Sequence, residues 1–133
     1  MDPRISIVTL GVRDSEPSTS FYRDGLGLPQ LDFEGNCAFF TTSGTWLALY
    51  PREALAEDAT VSAEGSGFPG FTPAQDVGSK GEVDRVLAEA ETAGTEVVEP
   101  PADASWGGYP GYFTDPEGFI REVAWNPDFP IED

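Results

Sequence analysis

The chain has 133 residues, enough for one domain with a real core, and its 39% apolar and 12% aromatic content is that of a globular protein rather than a disordered one. It carries 24 acidic and 7 basic residues, a formal net charge of -17, and no histidine. That field repels nucleic acid and anionic membrane, serves solubility, and favours cationic ligands, while the lack of histidine excludes Ser-His-Asp and Cys-His catalysis.

Residues 5–12 read as a buried strand. Asp14 or Ser15 is placed to cap a helix whose first turn holds Glu16 and Pro17. Phe21, Tyr22 and Leu26 supply its inner face, and Gly25 and Gly27 stop it. Three strands are predicted next, at 28–33, 37–42 and 46–50, separated by Glu34-Gly35-Asn36 and Thr42-Ser43-Gly44. Cys37 is the single cysteine, so no intrachain disulfide forms, and its apolar neighbours predict a small buried thiol. Residues 51–66 are rich in Ala, Glu and Ser, and 53–66 read as a linker. A fresh strand is predicted over 68–77. Ser79-Lys80-Gly81-Glu82 is a capping box, followed by Val83, Val86, Leu87 and Ala90 at helical spacing and a stop at Gly94. Strands are predicted at 95–99, 111–114 and 119–125, with Asp115-Pro116-Glu117-Gly118 as a type I turn. No apolar run is long enough to cross a membrane. The N-terminus, Met1-Asp2-Pro3-Arg4, lacks the apolar stretch of a signal peptide, so a cytoplasmic location is expected.

The order strand, helix, three strands therefore occurs twice. Val12 matches Val77, each just before a helix, and Gly44 matches Gly118, each just before a last strand. Together with Phe21-Tyr22-Arg23-Asp24-Gly25-Leu26-Gly27 and the run from Gly111 to Glu122, this pattern resembles the vicinal oxygen chelate superfamily of glyoxalases, bleomycin-resistance proteins and extradiol dioxygenases. The resemblance covers nearly the whole chain. It implies an α+β fold of tandem βαβββ modules, in which a mixed sheet curls around a cavity. Module one spans about 1–52 and module two about 67–133, within one domain of 1–133.

Metal-binding relatives carry ligands at four places, which the resemblance maps onto Ile7, Ala48, Thr72 and Glu122. One carboxylate and one hydroxyl fall short of the three protein ligands typical of a catalytic transition metal, so neither a metal nor another cofactor is expected. Glu122 stands in an apolar strand with Arg121 on the opposite face. Facing a cavity, it reads either as a base with a raised pKa or as a leftover ligand position satisfied by hydrogen bonds. Trp46, Trp106, Tyr109 and Tyr112 are expected to join the cavity wall, Trp106 and Tyr109 from the glycine-rich segment 104–111 and Tyr112 just after it.

The leading expectation is a metal-independent protein of glyoxalase/bleomycin-resistance type, holding a small organic ligand of cationic or aromatic character in its cavity. The resemblance also implies a homodimer. The alternatives are a metal-free isomerase or lyase with Glu122 as general base, and a dimeric scaffold with a vestigial site. No glycine-rich phosphate loop occurs, and the basic residues are too few and scattered for nucleic acid.

Overall fold

A computed structural model describes residues 1–128. Its contacts divide the chain at Ser66/Gly67 into two compact units. The fold is α+β, with one mixed sheet in each unit.

In the first unit, strand β1 (Ile7–Val12) runs parallel to β3 (Trp46–Pro51), and β2 (Ala38–Phe40) lies antiparallel on the other side of β3. β-Branched residues favour the pleated conformation of β1. Helix α1 (Ser15–Ser20) starts after Asp14, whose extended backbone marks the N-cap. It continues as a π-helical turn, Phe21–Gly25, closed by the bond from the Leu26 N–H to the Phe21 carbonyl. Gly27 leaves this turn at φ 73°, a left-handed conformation that glycine adopts without strain. The core of the unit gathers Leu10, Val12, Tyr22, Phe40 and Leu49, all nearly devoid of exposed surface. Tyr22 and Phe40 meet ring to ring at 5.9 Å.

Two parts of this unit differ from the sequence expectation. The strand predicted at 28–33 is reduced to a single bridge between Gln30 and Phe40. Pro29 has no N–H to donate, and only its carbonyl enters the ladder, accepting from the Thr41 N–H. Residues 52–58, composed like a linker, begin with helix α2 (Arg52–Asp58). This helix rests on β1 at Gly11, where an added Cβ would lie 3.2 Å from the Arg52 Cα. Arg52 also reaches forward and donates from Nε to the Ala63 carbonyl at 2.9 Å, which folds the following segment back.

The second unit contains the full strand, helix, three-strand order. Its sheet runs β4 (Ala74–Asp76), β7 (Ile120–Trp125), β6 (Tyr109–Thr114), β5 (Val97–Glu99). The first strand pairs parallel with the last, as in the first unit. The strand predicted over 68–77 shortens to three residues, because Pro69, Gly70 and Pro73 interrupt the extended run. Helix α3 (Lys80–Thr92) is capped as its sequence predicts: Ser79 Oγ accepts from the Glu82 N–H. The reciprocal bond runs from the Gly78 N–H to Glu82, one residue before the cap. Val83, Val86, Leu87 and Ala90 bury one stripe against β6 and β7. Gly111 permits this approach, since a Cβ there would meet Leu87 Cδ1 at 2.5 Å.

Candidate functional site

Alternation along β7 and β6 sorts the candidate residues onto two faces of the second sheet. Val123, Phe113 and Gly111 face α3 and are buried. Glu122 lies between Arg121 and Val123 in the strand, so it points to the opposite face. Its cross-strand partner there is Tyr112, and its parallel neighbour is Ala74. Tyr112 Oη donates to Glu122 Oε2 at 2.9 Å, and both side chains are half-buried. Asp76 stands two residues beyond Ala74 on the same face. Sequence reading did not single it out, although parity along β4 marks it.

The hydrogen bond to Glu122, with burial and the carboxylate's charge adding to it, raises the pKa of Tyr112 above its ordinary value of 10.0. The unfolded chain thus releases this proton at lower pH than the folded one. Stability that is complete below pH 10.0 is lost as pH rises through the higher folded value. Tyr112→Phe is expected to make that alkaline decline shallower. Urea midpoints at about pH 9 and about pH 11 read the difference, and an unchanged slope would show that Glu122 does not hold the phenol proton.

Tyr109 is three residues before Tyr112 and falls on the α3 face, away from Glu122. Its Oη donates to Asp84 of α3 at 2.9 Å, and this bond raises the Tyr109 pKa. Lys80 pairs with Asp103 at 2.6 Å and sits 5.5 Å from the Tyr109 ring centroid and 5.8 Å from that of Trp125. These contacts pin the segment before β6 to the start of α3. Trp106 lies in that segment, 50% exposed, with its ring folded over Gly108 so closely that a Cβ there would overlap it. The aromatic segment therefore divides: Tyr112 joins Glu122, Tyr109 anchors to α3, and Trp106 covers its own loop.

Thr72 is exposed and precedes β4. The neighbouring Pro73 carbonyl, rather than the Thr72 side chain, contacts the Glu122 strand, accepting the Glu122 N–H at 2.9 Å. In the first unit, Ile7 pairs with Trp46 and Thr9 with Ala48, so all four side chains share one sheet face. Ile7 is 41% exposed, whereas Ala48 is fully buried beside Phe39. The four mapped ligand places thus offer a methyl, a butyl branch, a hydroxyl outside the strand and one phenol-bound carboxylate. Among the described residues no group of three or more His, Cys, Asp or Glu is arranged to hold a metal. This donor set does not fit a catalytic transition metal.

A family model for the Glyoxalase/Bleomycin resistance protein/Dioxygenase superfamily matches residues 4–123. The chain is 30% identical over 122 residues to the uncharacterized protein YraH of Bacillus subtilis (strain 168), covering 87% of this chain and 93% of that protein. The crystal structure of a glyoxalase-related enzyme from Fulvimarina pelagi superposes with a TM-score of 0.89 at 31% identity, over 98% of this chain and 93% of that one. The lactoylglutathione lyase of Agrobacterium tumefaciens superposes at 0.75 with 25% identity, over 99% of this chain and 100% of that one.

Proposed function

The chain belongs to the glyoxalase/bleomycin resistance protein/dioxygenase superfamily, and on that premise we propose that it binds a small organic molecule, without a metal, on the sheet face that carries Tyr112 and Glu122. The observation behind this reading is the 2.9 Å bond between those two side chains at the one mapped ligand place that keeps a carboxylate. The phenol supplies Glu122 with a hydrogen-bonding partner and offsets part of the cost of half-burying its charge. A side chain held in one orientation suits recognition, because less freedom is lost when the ligand arrives. At two of the ligand places that the resemblance maps, Ile7 and Ala48 have no side-chain donor atom for a cation, which supports a reading without a metal.

The active form in this reading is a cytoplasmic homodimer, since closed two-fold assemblies are the commonest soluble oligomers. Native mass spectrometry of gently purified protein tests these points together. The expected result is a dimer mass carrying a small organic adduct and less than about one-tenth equivalent of any first-row transition metal. A stoichiometric metal removed by chelator would overturn metal independence, and a monomer at micromolar concentration would overturn the dimer.

A further inference from the structure

The proposed site has a definite balance of hydrogen-bonding groups, and that balance selects a class of ligand. Tyr112 directs its one proton at Glu122 Oε2. The phenol therefore presents an acceptor outward, and Glu122 Oε1 remains a second acceptor. Asp76 adds a second carboxylate to the same face. Thr114 adds a hydroxyl to that face by strand parity. The second unit contains three basic residues, Lys80, Arg85 and Arg121. Lys80 pairs with Asp103, Arg85 with Glu89, and Arg121, the strand neighbour of Glu122, alternates to the α3 face. Ala74 and Ile120 flank the carboxylate with apolar surface.

Among the described residues of the second unit, a ligand that brings its own negative charge finds no basic side chain directed to this face. A ligand that brings N–H donors and positive charge finds a fixed carboxylate, a phenol oxygen and an aromatic ring within one cross-strand pair. We infer that this face recognises a protonated amine on an apolar frame, the ammonium bonding to Glu122 Oε1 and the frame lying along Ala74 and Ile120. The inference rests on the ligand-binding reading given above. It adds what that reading leaves open, the sign of the charge and the direction of the hydrogen bonds.

The test uses three probes of one shape: phenethylamine, 3-phenylpropionate and 2-phenylethanol. Each is titrated into the intact isotope-labelled chain and followed by NMR, in about 0.3 M salt to screen long-range attraction to the acidic surface. The expected result is saturable shifts at Tyr112 and Glu122 with phenethylamine, and binding at least tenfold weaker with the carboxylate. Glu122→Gln should weaken phenethylamine binding at least tenfold. Glu91→Gln, an equal loss of charge on the exposed surface of α3, should leave it within a factor of two. Tyr112→Phe frees Glu122 to rotate and should also weaken binding, which keeps the test alive if the Gln variant folds poorly. Equal effects of Glu122→Gln and Glu91→Gln would reduce the attraction to net charge and overturn the inference. Saturable binding of the carboxylate or alcohol at Tyr112 and Glu122, matching the amine, would overturn the ligand class and leave the binding face standing. No shift at these residues with any probe would overturn both.

Discussion

Phe40→Ala is expected to destabilise the first unit by about 3–5 kcal/mol, the usual cost of emptying a fully buried aromatic position. Phe40 has no exposed surface, and its ring packs on Tyr22, itself fully buried. The loss is large against the roughly 5–15 kcal/mol that holds a domain folded. Its neighbour Phe39 supplies the control. It points to the other face of β2, where its ring meets the half-exposed Phe33 at 5.1 Å. Phe39→Ala should therefore cost clearly less. Urea unfolding of both variants measures this as a shift in midpoint at constant slope. Equal losses would show that the Tyr22–Phe40 contact is not the centre of that core.

The second large effect is expected at Asp115, a buried charged residue at 3% exposure. Its Oδ1 accepts from the N–H groups of Glu117 and Phe119, both at 2.9 Å, while the Gly118 N–H closes the turn onto the Asp115 carbonyl. Alanine would leave two backbone donors without their acceptor. Bonds to a charged group contribute about 1.5–3 kcal/mol each and do not simply add, so a total loss of about 2–4 kcal/mol is expected for Asp115→Ala. Asp115→Asn keeps an acceptor oxygen and should recover part of it. Denaturant unfolding again provides the measurement, and an Ala variant no weaker than Asn would mean the side chain does not hold the turn.

How far the sequence revealed these features depended on whether the signal was local. The Asp115-Pro116-Glu117-Gly118 turn and the Ser79 cap are written in a few adjacent residues, and the structure contains both. The α3 stripe follows from helical spacing and needs no knowledge of what it packs against. The strand at 28–33 fails because its pairing depends on a partner strand and Pro29 spoils one of its donors. Helix α2 hides in a composition that suits a linker equally well; the decisive feature is Gly11, more than forty residues earlier, where the helix rests. The site residues show the same division. Glu122 and Tyr112 were legible as candidates, and their cross-strand pairing is now explicit. The glycines around Tyr109 read as a loop at the cavity mouth, before a strand predicted to begin at 111. The strand begins at Tyr109, and parity then puts Tyr109 and Tyr112 on opposite faces.

The placement of the three tryptophans gives the molecule built-in optical reporters. Trp46 is the only one in the first unit, set in β3, while Trp106 and Trp125 belong to the second. A chain retaining only Trp46 would emit solely from the unit that holds Phe40. A chain retaining only Trp125 would emit from the sheet whose last turn is held by Asp115, with Lys80 near the indole. Two such spectra recorded through one denaturant titration would separate in midpoint if the halves melt independently and coincide if they melt as one.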